Sequence, residues 1–97
     1  MQLFTAGVQT LQVTLGAGTT QVTTNDIPCR QVMVQNNATH NVRVGDLNTS
    51  STRGAVLLPN STGSINFGPF SDSKPVNLNQ IWLNGTAADV IDVVLVQ

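Results

Sequence analysis

The residues able to carry acid–base, nucleophilic or metal chemistry in this chain are few: His40, Cys29 and the aspartates Asp26, Asp46, Asp72, Asp89 and Asp92. A nucleophilic site needs a base within hydrogen-bond reach of a thiol or hydroxyl. Cys29 and His40 are the pair to test, and they flank one expected strand at opposite ends. About ten extended residues span roughly 33 Å, so the strand holds them apart. Cys29 therefore reads as a small buried hydrophobe. His40 falls in the turn Asn36-Asn37-Ala38-Thr39-His40-Asn41, where an exposed or locally hydrogen-bonded imidazole is expected. With the titratable groups scattered over different segments, the chain reads as non-enzymatic.

Metal chemistry has no better footing. Zinc sites cluster Cys and His, and the sequence has one of each. Asp46-Leu47-Asn48-Thr49-Ser50 alternates oxygen-bearing side chains, but a calcium loop also needs Gly at its sixth position and Glu at its twelfth. Asp89 and Asp92 are three apart in an expected strand, hence on opposite faces and unable to share an ion. No metal and no cofactor is expected.

Trp82 is the only Trp, and Tyr is absent. An exposed Trp on a β-sheet can stack on sugar rings, although such sites usually add further aromatics, acids or amides. Trp is also enriched where proteins meet. If Ile81 and Leu83 face the core, Trp82 points the other way, toward a partner or beneath a loop of its own chain. The partner contact is the functional reading adopted for it.

The wider composition narrows the classes further. Charged residues make up 9 % of the 97 positions, against about a quarter in ordinary chains. Polarity comes from 12 Thr, 10 Asn, 8 Gln and 6 Ser. A net charge of −1 offers no counterion-release handle on nucleic acid and no polybasic handle on a membrane. No apolar run reaches the roughly 18 residues of a membrane span, and Met1-Gln2-Leu3-Phe4-Thr5 lacks the basic and apolar regions of a signal peptide. The 40 % hydrophobic content favours a buried core over disorder. The single cysteine leaves no intrachain disulfide, which weakens a secreted, disulfide-stapled reading.

The same residues set the elements. Thirteen Val and twelve Thr favour strands, and apolar residues alternate at Leu11/Val13/Leu15, Val32/Val34, Val42/Val44, Ile65/Phe67 and Ile81/Leu83. Asn, Gly and Pro break the pattern about every ten residues, the spacing of an all-β sandwich or barrel. Strands are expected near 8–15, 19–24, 30–36, 41–45, 55–58, 63–67, 76–83 and 89–96. These eight short antiparallel strands suit one compact, jelly-roll-like β-sandwich domain over residues 1–97.

Four Asn-x-Ser/Thr sequons begin at Asn37, Asn48, Asn60 and Asn84. In a chain so rich in Asn, Ser and Thr they read as turn residues that happen to match. The final strand is more informative. Ile91, Val93 and Leu95 should face the core, yet the opposite face, Val90, Asp92, Val94 and Val96, is also mostly apolar. A solvated sheet face should be polar. Either a loop of the same chain or a neighbouring subunit covers it.

Several of these turn-and-strand segments resemble those of small tailed-phage virion proteins. The resemblance runs through Pro28-Cys29-Arg30 and its strand to Asn36, then Asn41-Val42-Arg43-Val44-Gly45-Asp46, Ser51-Thr52-Arg53-Gly54 and Val56-Leu57-Leu58-Pro59. It closes on Ile81-Trp82-Leu83-Asn84-Gly85-Thr86 and the Val-rich last strand. It covers about two-thirds of the chain and carries no catalytic motif. The proteins it resembles most are capsid (head) decoration or cement proteins, made in the bacterial host cytoplasm and placed on the capsid exterior.

That resemblance implies a virion structural protein that binds the major capsid protein lattice as a homotrimer, with neither nucleic acid nor membrane as partner. The candidate subunit or capsid interface is Leu3, Phe4, Trp82, Val90, Val94 and Val96, with residues 1–6 as an N-terminal docking arm. The alternative is a receptor- or glycan-binding module of a phage fibre or baseplate, whose mark would be an exposed Trp82 among clustered Asn and Gln side chains.

Overall fold

Alternation of Val with polar residues produces strands wherever it occurs, and turn residues decide where each one stops. The computed structural model describes residues 7–97. Its strands are β1 Val8–Thr14, β2 Thr19–Gln21, β3 Pro28–Cys29, β4 Gln31–Asn36 and β5 Val42–Gly45. They continue with β6 Ala55–Leu57, β7 Gly63–Phe67, β8 Val76–Asn77, β9 Trp82–Asn84 and β10 Val90–Val96.

The pairing is nested. β1 pairs with β10, β2 with β9, β3 with β8, β4 with β7 and β5 with β6, all antiparallel. The chain is thus one long hairpin with its tip at the β5–β6 loop. Two further pairings, β10 with β4 and β9 with β5, fold that hairpin into two four-stranded sheets. The first sheet has the order β1-β10-β4-β7 and the second β2-β9-β5-β6. Alternate arms of a wrapped hairpin falling in two facing sheets is the arrangement of a jelly roll.

The expected core residues fill the space between the sheets. Ile91, Val93 and Leu95 of β10 and Val32 and Val34 of β4 are fully buried. They meet Val42, Val44, Leu57 and Leu83 from the second sheet in one cluster. Fully burying such side chains contributes about 1.5–3 kcal/mol each, so this layer is what holds the two sheets together.

Two expectations need correction. The expected strand 76–83 is interrupted, because Leu78–Gln80 winds into one 3-10 turn between β8 and β9. Gln80 Oε1 accepts from the Asn77 N–H at 3.0 Å, and Asn77 Oδ1 accepts from the Ile27 N–H at 2.9 Å. The turn drives Leu78 into the core with no exposed surface, which a continuous strand passing through Asn79 would not do. Asp89 also lies outside its expected strand. It closes the turn that runs from Thr86, its N–H donating to the Thr86 carbonyl at 3.1 Å, so strand alternation does not apply to it.

Candidate functional site

On the outer face of the first sheet, the register sets Val94 between Thr10 of β1 and Met33 of β4, and Val96 between Val8 and Gln31. Val90 is 38 % exposed, while Val94 and Val96 are half-buried. The one charge among the paired residues of this face is Asp92, which lies between Gln12 and Gln35. Its carboxylate accepts from Gln12 Nε2 at 3.2 Å and from Asn37 Nδ2. The result is an apolar centre inside a frame of amides and hydroxyls, with its only charge engaged by two amides.

Among the described residues, the loop that covers a sheet face lies on the other sheet. Arg43, on the outer side of β5, donates from Nε to the Ser51 carbonyl at 3.0 Å and from Nη1 to the Gly54 carbonyl at 2.8 Å. Thr49 packs over Gly45, where an added Cβ would lie 2.7 Å from its Oγ1. Across the sheet, the Thr49 carbonyl accepts from Thr19 Oγ1 of β2 at 2.7 Å. Because β9 lies between β2 and β5, the 46–54 loop straps across β9 and divides this outer face in two.

Trp82 occupies one side of that strap. Leu83 beside it is fully buried, so Trp82 faces outward, and it is half-buried. It pairs with Gln21 on β2 and Gly45 on β5. The shallow, open cleft over it, about 410 Å³, is bordered by Asp46 and Leu47 of the strap and by Asn79 and Gln80 of the 3-10 turn. Leu47 is 67 % exposed. Of the two expected alternatives for Trp82, cover by a loop of its own chain is realised in part: the strap flanks the indole and leaves it half-buried.

The titratable groups assemble differently from the sequence expectation. His40 and Asp89, expected in separate segments, meet with Nδ1 3.0 Å from Oδ2. Asp89 and Asp92 line one shallow depression instead of opposite faces, because Asp89 precedes β10. Thr39 Oγ1 lies 3.5 Å from the same Nδ1 of His40 that meets Asp89. A triad relay needs the acid and the nucleophile on different ring nitrogens, so Thr39, His40 and Asp89 do not form one, and the His40–Asp89 contact joins the loop before β5 to the turn before β10. Cys29 is fully buried and donates to the Ile27 carbonyl at 3.3 Å. Burial pushes its thiol pKa up, the opposite of an activated nucleophile. The described residues hold no group of three or more His, Cys, Asp or Glu arranged to bind a metal.

The candidate interface residues do not share one surface. Val90, Val94 and Val96 lie on the outer face of the first sheet, and Trp82 lies on the outer face of the second, across the core. Leu3 and Phe4, with the 1–6 arm, fall outside the described residues. Sequence reading missed the polar company of Trp82. Gln21 reaches it through the β2–β9 register, Asp46 through the strap, and Asn79 and Gln80 through the 3-10 turn. The one available signal was the Asn77-x-x-Gln80 spacing of a capping turn. Comparison of the chain with protein-family models, with curated proteins and with solved structures returns no match.

Proposed function

We propose that this protein is a non-enzymatic virion structural component that decorates or cements a bacteriophage capsid by binding the major capsid protein lattice, assembled as a trimer. The supporting observation is the outer face of the first sheet. Its centre, Met33, Val94 and Val96, is apolar, and its rim carries Thr10, Gln12 and Gln35 around one amide-engaged carboxylate. Such a face can lie against a protein lattice while desolvating almost no ionic charge, which avoids the heaviest cost of burying polar surface. The trimer and the capsid partner follow from the resemblance in the Cys29–Val96 segment. Trp82 cannot belong to the same flat contact, since it lies on the opposite sheet.

The test is occupancy on purified capsids. Val94→Arg sets a charge at the centre of the docking face and should abolish attachment, with the fold retained because the half-buried side chain points outward and the longer arginine can extend into solvent. Full occupancy with Val94→Arg, or attachment lost with Trp82→Ala and kept with Val94→Arg, rejects the assignment of this face. A wild-type chain that binds no capsid lattice, with its first-sheet face open to solvent, rejects the function itself.

A further inference from the structure

We infer that the Trp82 cleft is a binding site for neutral saccharides, on the side of the molecule opposite the proposed docking face. The floor is an outward indole whose neighbour on β5 is Gly45, so no side chain from that strand stands beside the ring. Apolar C–H faces of pyranose rings pack on such a platform, and an aromatic contact of this kind adds to the area it buries. The walls supply the directional part.

Three of the polar wall side chains, Gln21, Gln80 and Asp46, are each held by one hydrogen bond within the chain and keep another polar atom for a ligand. Gln21 Nε2 donates to the Asn79 carbonyl at 2.7 Å, which leaves its Oε1 as an acceptor. Gln80 Oε1 accepts from the Asn77 N–H, which leaves its NH2 as a donor. Asp46 Oδ1 accepts from the Asn48 N–H at 2.9 Å, which leaves Oδ2 as an acceptor. Sugar hydroxyls both donate and accept, so they match this mixed set. Side chains already fixed before binding lose less entropy when the ligand arrives. Asp46 is the only charged residue lining the cleft, and its carboxylate disfavours uronic and sialic acids. The chemistry selects a neutral hexose.

The experiment uses the fact that Trp82 is the only Trp and that Tyr is absent, so intrinsic fluorescence reports on this cleft alone. The full chain is titrated with neutral gluco-, galacto- and manno-oligosaccharides and with sialyllactose. A saturable change in emission is expected with at least one neutral series and not with sialyllactose. Gln80→Ala, which keeps the fluorophore, should weaken that binding about 3- to 10-fold. Trp82→Ala should lower the affinity measured by calorimetry by about 10-fold or more, and Val94→Arg should leave it unchanged. No response to any neutral series overturns the inference, as does tighter binding of sialyllactose or an affinity unaffected by Gln80→Ala. Capsid occupancy with Trp82→Ala should stay at the wild-type level, so this inference and the docking face fail independently.

Discussion

Asn36 Nδ2 donates to the Leu57 carbonyl at 2.9 Å, and that bond crosses from β4 in the first sheet to β6 in the second. The same nitrogen donates to the His40 carbonyl at 2.8 Å, and Oδ1 accepts from the Ala38 N–H at 3.0 Å. With no exposed surface, the amide is a polar pin between two mainly apolar inner faces. A buried group left without a partner costs about 1–3 kcal/mol. Asn36→Ala and Asn36→Leu should therefore each lower the unfolding free energy by about 2–4 kcal/mol in urea titrations. Asn36→Asp should cost more than Asn36→Ala, because it sets a carboxylate against two carbonyl oxygens. A loss below about 1 kcal/mol for Asn36→Leu would mean that packing, not hydrogen bonding, holds the sheets in register.

Asn36 also marks the limit of what pattern reading delivers. The alternation Val32, Val34 places the next inward position at residue 36, and periodicity alone expects an apolar side chain there. The inner face of β10 and the outward direction of Trp82 were legible, because alternation is local. The 3-10 turn at Leu78–Gln80 was not, since Val76 and Leu78 alternate in one phase, Ile81 and Leu83 in the other, and each pair by itself suits an extended strand. The strap across β9 and the His40–Asp89 contact depend on how the hairpin wraps. No window of sequence contains that information.

Gly63 and Gly16 should respond to alanine in opposite ways. A Cβ at Gly63 would lie 2.2 Å from the Leu58 nitrogen, and this close approach lets the Gly63 N–H donate to the Leu58 carbonyl at 3.0 Å. Overpacking of this kind costs about 1–3 kcal/mol, and moving backbone atoms places Gly63→Ala at the upper end. At Gly16 the nearest atom to an added Cβ is Thr20 Oγ1 at 3.8 Å. Gly16→Ala should raise stability by about 0.4–1 kcal/mol through the unfolded chain. Thermal melts of the two variants decide this, and equal shifts would contradict it.

Ala88 adopts φ +74° in the turn before β10 and donates from its N–H to the Leu15 carbonyl at 2.8 Å. The left-handed region costs an L-residue about 1–2 kcal/mol, while a glycine costs about 0.4–1 kcal/mol of extra unfolded-state entropy. The first outweighs the second on this exposed turn, so Ala88→Gly should stabilise by about 0.5–1 kcal/mol. A destabilised variant in chemical denaturation would contradict this account.

The buried Cys29 thiol should make stability depend on pH in one window. Burial raises its folded pKa, so as pH climbs past the ordinary thiol value of about 8.5 the unfolded chain loses its proton first. Stability then falls, with a limiting slope of about 1.4 kcal/mol per pH unit, until the folded thiol also ionises. Below that window the thiol is neutral in both states and contributes no slope. Cys29→Ala should remove this alkaline component at some cost in packing. Unfolding titrations on both proteins between neutral and alkaline pH test it, and identical slopes would rule out the thiol as the source.

Attachment through the first-sheet face should depend little on salt. Screening weakens an interface in proportion to the ionic charge it brings together. The paired residues of this face contribute Asp92 alone, already engaged by Gln12 and Asn37. Raising NaCl from about 50 to 500 mM should therefore change capsid affinity by less than about 3-fold, whereas a contact built on several ion pairs would lose far more. Gln12→Ala tests the neutralising role of its amide. Without that donor Asp92 is less completely satisfied, so burying the face costs more, and affinity should fall about 2- to 10-fold at every salt concentration. A steep salt dependence in the wild-type protein would move the contact to the arginine-bearing outer face of the second sheet.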